Sequence, residues 1–569
     1  MLDLTQKPYG LNEIQIQAVK KQVAALDTEA KIGQLFFPIG QDEKQVDIPA
    51  FIQKYQPGGI MYRPDTSSKI RRELAACQAA STLPLFTAAN LESGGNGIIT
   101  DGTYFGTPLE MAATDDPHSA YELGAVAGEE AHAVGTNMAF APIVDIDQNF
   151  RNPIMNTRTF GSDQQRVLRM SDAQRQGLEK HHVIPVIKHF PGDGVDERDQ
   201  HLLASVNSLS ADDWMASYGQ IYRHMIEGGI STVMIAHILQ PAWERQLDPG
   251  IADQDLRPAS SSANLINGLL RTVLKFNGLA ITDATPMLGY NAVMPREQLL
   301  PATINAGIDM ILFNKNIDED YAIIRTAVAN GTISQERLDE AVTRIVGTKV
   351  AQGLMTVDGH PLLSMPDADV LVRNQAAHAA QAEAVASKAV TLVKDRDHLL
   401  PLTPEKYPRI RLYVLGDSDD GGFKEGGQVT GAFQQQLEAA GFAVTLFDPK
   451  HLDFHEIFEE GVADLKKKFD LALYIANVET ASNQTTTRLD WIHLMAANAP
   501  WFMKDIPTVF VSTANPYHLF DIPMVSTFVN AYTGNQATIA AVMRKLLGQE
   551  KFLGKSPVDP FCGDLTARL

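Results

Sequence analysis

Residues 184–203 read IPVIKHFPGDGVDERDQHLL, and the rest of the chain is organised around them. The run Ile184-Pro185-Val186-Ile187 is short and apolar, the pattern of a strand buried on both faces. The sequence then turns polar at Lys188 and His189. Pro191, Gly192 and Gly194 force a loop, which carries Asp193, Asp196, Asp199 and His201. Two cations at a strand end, followed by a carboxylate and an imidazole two residues apart, fit a site better than a scaffold.

Outward from that stretch, short apolar runs recur. Eight are counted: Ile32–Pro38, Gly59–Tyr62, Pro84–Ala88, Ala139–Val144, Ile184–Lys188, Ser231–Ala236, Leu279–Thr282 and Ile308–Phe313. Helical patterns lie between most of them, for example Ser119–Val134 and Ala211–Glu227, and residues 11–30 read as a helix ahead of the first. Strands alternating with helices imply βαβ units and a parallel sheet. Eight units in this span predict an N-terminal (β/α)8 TIM-type barrel, whose active site is built at the C-terminal strand ends. Those ends carry Asn90 and Glu92, Asp145 and Asp147, Lys188 and His189, His237, Asp283 and Asn314. Any strand must leave its core through polar residues. Side chains suited to sugar binding or acid/base chemistry at six of eight ends go further than that.

The remaining length holds a second unit. The chain has 569 residues, too many for one core, since single cores stop growing near ~250–300 residues. Val370–Ala389 is rich in Ala with no breaker, and Val390–Leu402 follows as a connection. A second α/β pattern then runs through Ile410–Gly416, Phe442–Phe447, Asp470–Ala476, Pro507–Thr513 and Met524–Tyr532, with helices at Gly431–Ala440 and Gln536–Leu547. The reading is a barrel over 1–369, a helical connection over 370–402 and an open parallel sheet in a three-layer α/β sandwich over 403–569. Gly421-Gly422 and Gly426-Gly427 are too poorly patterned to argue for a nucleotide.

Composition narrows the function class. Apolar residues are 44%, charged residues 20%, and the formal net charge is −20. Such acidity argues against non-specific binding of nucleic acid and of anionic membranes. Two cysteines, Cys77 and Cys562, make neither a disulfide framework nor a zinc spacing. The first 26 residues have no apolar signal core and no run approaches a membrane span, so a cytoplasmic location is expected, with secretion behind a removed leader the alternative.

KHFPGDG followed by Asp199-Gln200-His201 resembles the lysine-histidine motif and Asp-x-His dyad of glycoside hydrolase family 3, in its β-N-acetylglucosaminidase branch. Leu392–Leu402 (LVKDRDHLLPL) is similar to the segment that opens the family's second domain. Asn515-Pro516-Tyr517 and Gly554–Val558 resemble later landmarks. The resemblance implies an exo-acting, retaining enzyme that removes a terminal β-linked N-acetylglucosamine, with no metal and no organic cofactor. It assigns the nucleophile to Asp283, in LAITDATPM with Met287 four residues on, and the acid/base to His201 held by Asp199. Histidine's reference pKa near ~6.5 suits a group that gives and takes a proton near neutrality. A carboxylate on its other nitrogen fixes the tautomer. An Asp in this position also reads as a helix cap.

Lys188 and His189 are expected to bind sugar hydroxyls, with Arg158 in NTRTFGSD on the same ring. His237 either lines the pocket or is a satisfied core histidine. Glu130 and His132 fall in a predicted helix, where a capped or surface role is expected. Two residues depart from the family pattern. Asn90 in AANLESGG stands where an aspartate is usual, and Asp193 in PGDG where a histidine is usual. The first bears on which sugar is preferred. The second adds negative potential near the dyad. The dyad's Gly-rich loop is expected to swing during turnover. The expected partner is a small amino-sugar glycoside, from a cell-wall muropeptide, a chitin fragment or a small-molecule glycan. Rival readings are a phosphorylase, since a neutral imidazole base repels phosphate less than a carboxylate, and a carbohydrate-binding homologue weakened in catalysis. Oligomeric state is not legible in the sequence.

Overall fold

The structure, a computed structural model, describes residues 2–40, 47–362, 369–417 and 428–568. The glycine pairs at 421–422 and 426–427 lie outside the described residues. Among the described residues the N-terminal part has ten short strands. Ser205–Val206 and Ile238–Leu239 pair apart from the rest. The other eight are β1 Phe36–Phe37, β2 Gly59–Met61, β3 Phe86–Ala89, β4 Met138–Ala139, β5 Ile184–Phe190, β6 Thr232–Ile235, β7 Leu279–Thr282 and β8 Ile311–Leu312. β2 to β7 form one parallel sheet in chain order, half of a barrel. β1 pairs in parallel with β8. Single bridges, Ile39 with Met61 and Ile281 with Met310, link that pair to the two edges of the sheet.

The apolar runs have a direct packing reason. Val186, Met234 and Ile281 point into one core, with Phe37 and Phe140. Their neighbours Ile187, Val233, Ile235 and Ala280 point into another, against Trp214, Tyr222 and Leu265 of the outer helices. A strand buried on both faces cannot alternate apolar with polar. Where β5 ends, Gly192 takes φ +116°, and a Cβ there would stand 2.3 Å from the Tyr218 ring. No other residue fits that turn.

Several boundaries differ from the sequence reading. The fourth strand is Met138–Ala139, not Ala139–Val144, and the helix expected over Ala211–Glu227 is two, Ala211–Ala216 and Tyr218–Gly228. The expected helix over 11–30 is two, Glu13–Ala25 and Thr28–Gln34, because Asp27 caps the second through Ala30 N–H at 2.8 Å. That second helix also consumes the start of the expected first strand.

After helix Asp369–Ala389 the chain enters a second sheet: β9 Thr391–Asp395, β10 Arg409–Leu415, β11 Ala443–Leu446, β12 Leu471–Ala476, β13 Thr508–Ser512 and β14 Thr527–Asn530. The order is β9-β14-β13-β12-β10-β11. β9 lies in the span read as a connection and runs antiparallel to β14, so the sheet is not wholly parallel. Apolar clusters cover both faces. Tyr413, Tyr474, Phe510 and Phe528 stack across four strands at 4.4, 5.8 and 5.3 Å. Among the described residues no helix is long and apolar enough to cross a membrane.

The two parts meet over an extensive seam. Lys555 N–H donates to Ala113 carbonyl and Ser162 N–H to Pro557 carbonyl. The Tyr517 hydroxyl donates to Asp147 at 2.7 Å, and Asn156 bonds Asn515 at 3.1 Å.

Candidate active site

The C-terminal end of β5 delivers Lys188 and His189, both nearly fully buried. A buried cation needs a partner. Lys188 Nζ donates to Glu92 Oε1 at 2.6 Å. Arg158 makes a two-pronged bond to the same carboxylate, Nη2 to Oε1 at 2.8 Å and Nε to Oε2 at 2.9 Å. Glu92 is therefore the hub of the cationic group. Burial alone pushes its carboxyl upward, but Arg158 and Lys188 override it and hold the group well below the usual carboxylate range. Burial draws the Lys188 ammonium below its ordinary value, against the pull of Glu92.

Asp145 does the same for His189. The carboxylate accepts from His189 N–H at 3.2 Å, from Asp193 N–H at 2.8 Å and from His189 Nδ1 at 2.7 Å. With backbone donors already on the carboxylate, Nδ1 is the donor, which leaves Nε2 free to accept. Asp193 sits below, buried, taking Asn152 Nδ2 at 3.0 Å and Gly194 N–H at 2.6 Å on one oxygen. Its other oxygen has no partner among the described residues. Burial, with the neighbouring Asp145 charge, pushes its carboxyl well up.

Asp283 ends β7 and is 7% exposed. It does not cap a helix from a distance. Oδ1 accepts its neighbour's amide, Ala284 N–H, at 2.7 Å, and Oδ2 accepts Gln200 Nε2 at 3.3 Å. Burial raises this carboxyl, but the neighbouring histidines, His189 first among them, and the Ala284 amide lower it on balance. Lys188 and Arg158 also feel its charge. The site thus gathers Asp283, Lys188, His189, Arg158 and His201 into one electrostatic unit.

The Asp199–His201 pair is formed. Asp199 Oδ1 accepts His201 Nδ1 at 2.6 Å and His201 N–H at 2.8 Å. Asp199 is 2% exposed, while the His201 side chain is 20% exposed and presents Nε2. The loop is tied down: Leu288 N–H donates to His201 carbonyl at 3.1 Å and Gly289 N–H to Gln200 carbonyl at 3.0 Å. These bonds join the dyad loop to the Asp283 loop.

His237 is fully buried, bonded through Nδ1 to Ser260 Oγ at 2.8 Å and through Nε2 to Ala284 carbonyl at 3.0 Å. Burial lowers its pKa to about 4. It is a satisfied core histidine that supports the Asp283 turn from beneath. Asn90 is exposed. Glu130 is no surface residue: it is buried, taking Thr103 Oγ1 at 2.6 Å and His378 Nδ1 at 2.8 Å. Sequence reasoning saw Glu92 and Asp145 as strand-end polar residues but gave them no role. It missed Gln200, although that residue lies between the two members of the dyad. Asn483, whose N–H reaches Asp199 Oδ2 at 2.7 Å from the second sheet unit, left no local signal. Among the described residues no group of three or more His, Cys, Asp or Glu is placed to hold a metal ion.

Comparison with known proteins places the chain among glycoside-cleaving enzymes. The model of the glycosyl hydrolase family 3 N-terminal domain matches residues 27–348. The chain is 42% identical over 573 residues to a β-N-acetylglucosaminidase/β-glucosidase of Cellulomonas fimi, covering 100% of both chains. Among solved structures, it is similar to a β-glucoside phosphorylase, BglX, bound to 2FGlc. The TM-score is 0.92 at 43% identity, over 98% of this chain and 99% of that one. It shares its fold with a family 3 β-N-acetylglucosaminidase from Paenibacillus sp. str. FPU-7, at TM-score 0.77 and 24% identity, over 94% and 99% of the two chains. The chain belongs to glycosyl hydrolase family 3.

Proposed function

We propose that the protein cleaves terminal β-glycosides of N-acetylglucosamine or glucose by double displacement, with retention. In this reading the eight N-terminal strands form a closed (β/α)8 ring over residues 1–369. Helix Asp369–Ala389 then leads to the sandwich domain, which β9 joins as an edge strand. Asp283 attacks the anomeric carbon. His201 protonates the leaving oxygen from Nε2 and then removes a proton from the acceptor. Asp199 holds the imidazole in that tautomer. Retaining chemistry needs an ionised nucleophile, and the Asp283 carboxyl lies below its ordinary value despite its burial. Lys188, His189 and Arg158 bind ring hydroxyls, with Asn90 reaching the outer ones and His237 supporting from behind. The observation that carries the reading is the formed Asp199–His201 pair anchored to the Asp283 loop.

A second reading gives phosphate, not water, as the acceptor. The imidazole is neutral once it has given up its proton, and both oxygens of the Asp199 carboxylate are covered by donors. An approaching anion therefore meets little exposed negative charge. The full-length likeness to a β-glucoside phosphorylase supports the same reading. The test is release of 4-nitrophenol from the β-N-acetylglucosaminide and the β-glucoside, with and without phosphate. Turnover lost in Asp283→Ala supports the mechanism. Acceleration by phosphate with a sugar 1-phosphate product selects phosphorolysis, and indifference to phosphate selects hydrolysis.

A further inference from the structure

We propose that the sandwich domain is part of the acid/base apparatus, and that Asn483 is the positioning residue through which it acts. The inference rests on the reading of His201 as acid/base. Asp199 is buried, and a buried carboxylate needs its lone pairs filled. His201 occupies Oδ1 through its backbone N–H and Nδ1. Oδ2 is filled by the backbone N–H of Asn483 at 2.7 Å, from 284 positions further along the chain. That bond decides which way the carboxylate plane faces, and so where the imidazole points.

The loop that brings Asn483 is built for this contact. It leaves the C-terminal end of β12, the edge from which open α/β sheets present functional loops. Asn483 has φ +66°, a left-handed conformation that Asn tolerates far better than β-branched residues. Its side chain is exposed, so it is there for its backbone. Three residues on, Thr486 Oγ1 donates to Arg151 carbonyl at 2.9 Å, in the segment that leads to Arg158. Leu489 N–H then returns to Asp521 of the sandwich domain at 3.0 Å. The loop tip thus grips the dyad loop and the arginine-bearing segment at once. The acid is fully set only while the two domains are in contact.

The test measures kcat/KM on phenyl and 2,4-dinitrophenyl β-glycosides of the sugar the enzyme turns over, at fixed phosphate. The phenolate needs protonation to leave, and the dinitrophenolate does not. Asn483→Val strains the left-handed position and draws its N–H off Asp199. Losing one charge-assisted bond predicts a roughly tenfold fall on the phenyl glycoside and a change within about twofold on the dinitrophenyl one. Asn483→Gly, which keeps both the conformation and the N–H, is expected to restore the phenyl rate. Thr486→Val, which loosens the same loop, is expected to shift the ratio in the same direction by less. Equal falls on both substrates, or no change on either, overturn the proposal. His201→Ala separates the two levels. If it shows the leaving-group contrast and Asn483→Val does not, only the positioning role fails. If His201→Ala shows no contrast, the acid assignment and the proposal built on it fail together.

Discussion

Two carboxylates divide the task of fixing the site's nitrogen groups: Glu92 holds Lys188 and Arg158, and Asp145 holds His189. Removing one member of a buried ion group leaves uncompensated charge, which costs about 3–5 kcal/mol. Glu92→Gln is therefore expected to lower unfolding stability by about that amount and to raise KM for the sugar. Denaturant titration beside steady-state kinetics checks both. A KM rise without loss of stability would mean that Glu92 contacts sugar and does not organise the cations. The residues proposed to carry chemistry stand in local patterns of the sequence, Lys188-His189 and Asp199-Gln200-His201. Their supports do not. Glu92 meets its partners 66 and 96 positions away, and Asn483 meets Asp199 across 284, separations that no window of sequence spans.

At the scale of elements, the PGDG turn after β5 aims the site. Gly192 is left-handed and packed on Tyr218, so Gly192→Ala combines backbone strain with a ring clash. Strain of this kind costs about 1–3 kcal/mol. A fall in thermal midpoint, together with lost activity at saturating substrate, is expected, and an unchanged midpoint would show that the turn relaxes freely. The eight runs were legible because strands buried on both faces carry no polar interruption, as Val186 and Ile187 show by entering different cores. Element ends were less so. Asp27 breaks a helix that apolar spacing alone continues. β9 looked like linker because an edge strand half-exposed on one side lacks that signature.

Across the whole molecule, the domain seam buries two carboxyls. Burial pushes Asp147 up to about 7, against its bond from Tyr517, and Glu110 up to about 8, against its bond from Thr538. A carboxyl with a raised folded-state pKa binds a proton that the unfolded chain has released. The folded state therefore loses stability as pH rises from about 4, the unfolded value, to about 7 or 8. Glu110→Gln keeps an acceptor for Thr538 and removes the titration. Its thermal midpoint is expected to gain on the parent protein steadily between pH 5 and pH 8 and to level off above. A gain independent of pH would place the effect elsewhere.

In the proposed mechanism Asp283 carries the sugar between two displacements. The most direct test is intact-mass and peptide analysis after incubation with 2,4-dinitrophenyl 2-deoxy-2-fluoro-β-glucoside, in which the fluorine slows release of the glycosyl-enzyme. One fluoroglycosyl group per chain is expected, attached at Asp283, absent from Asp283→Ala and discharged by an acceptor. A label on another carboxylate, or full turnover by Asp283→Ala, would contradict it.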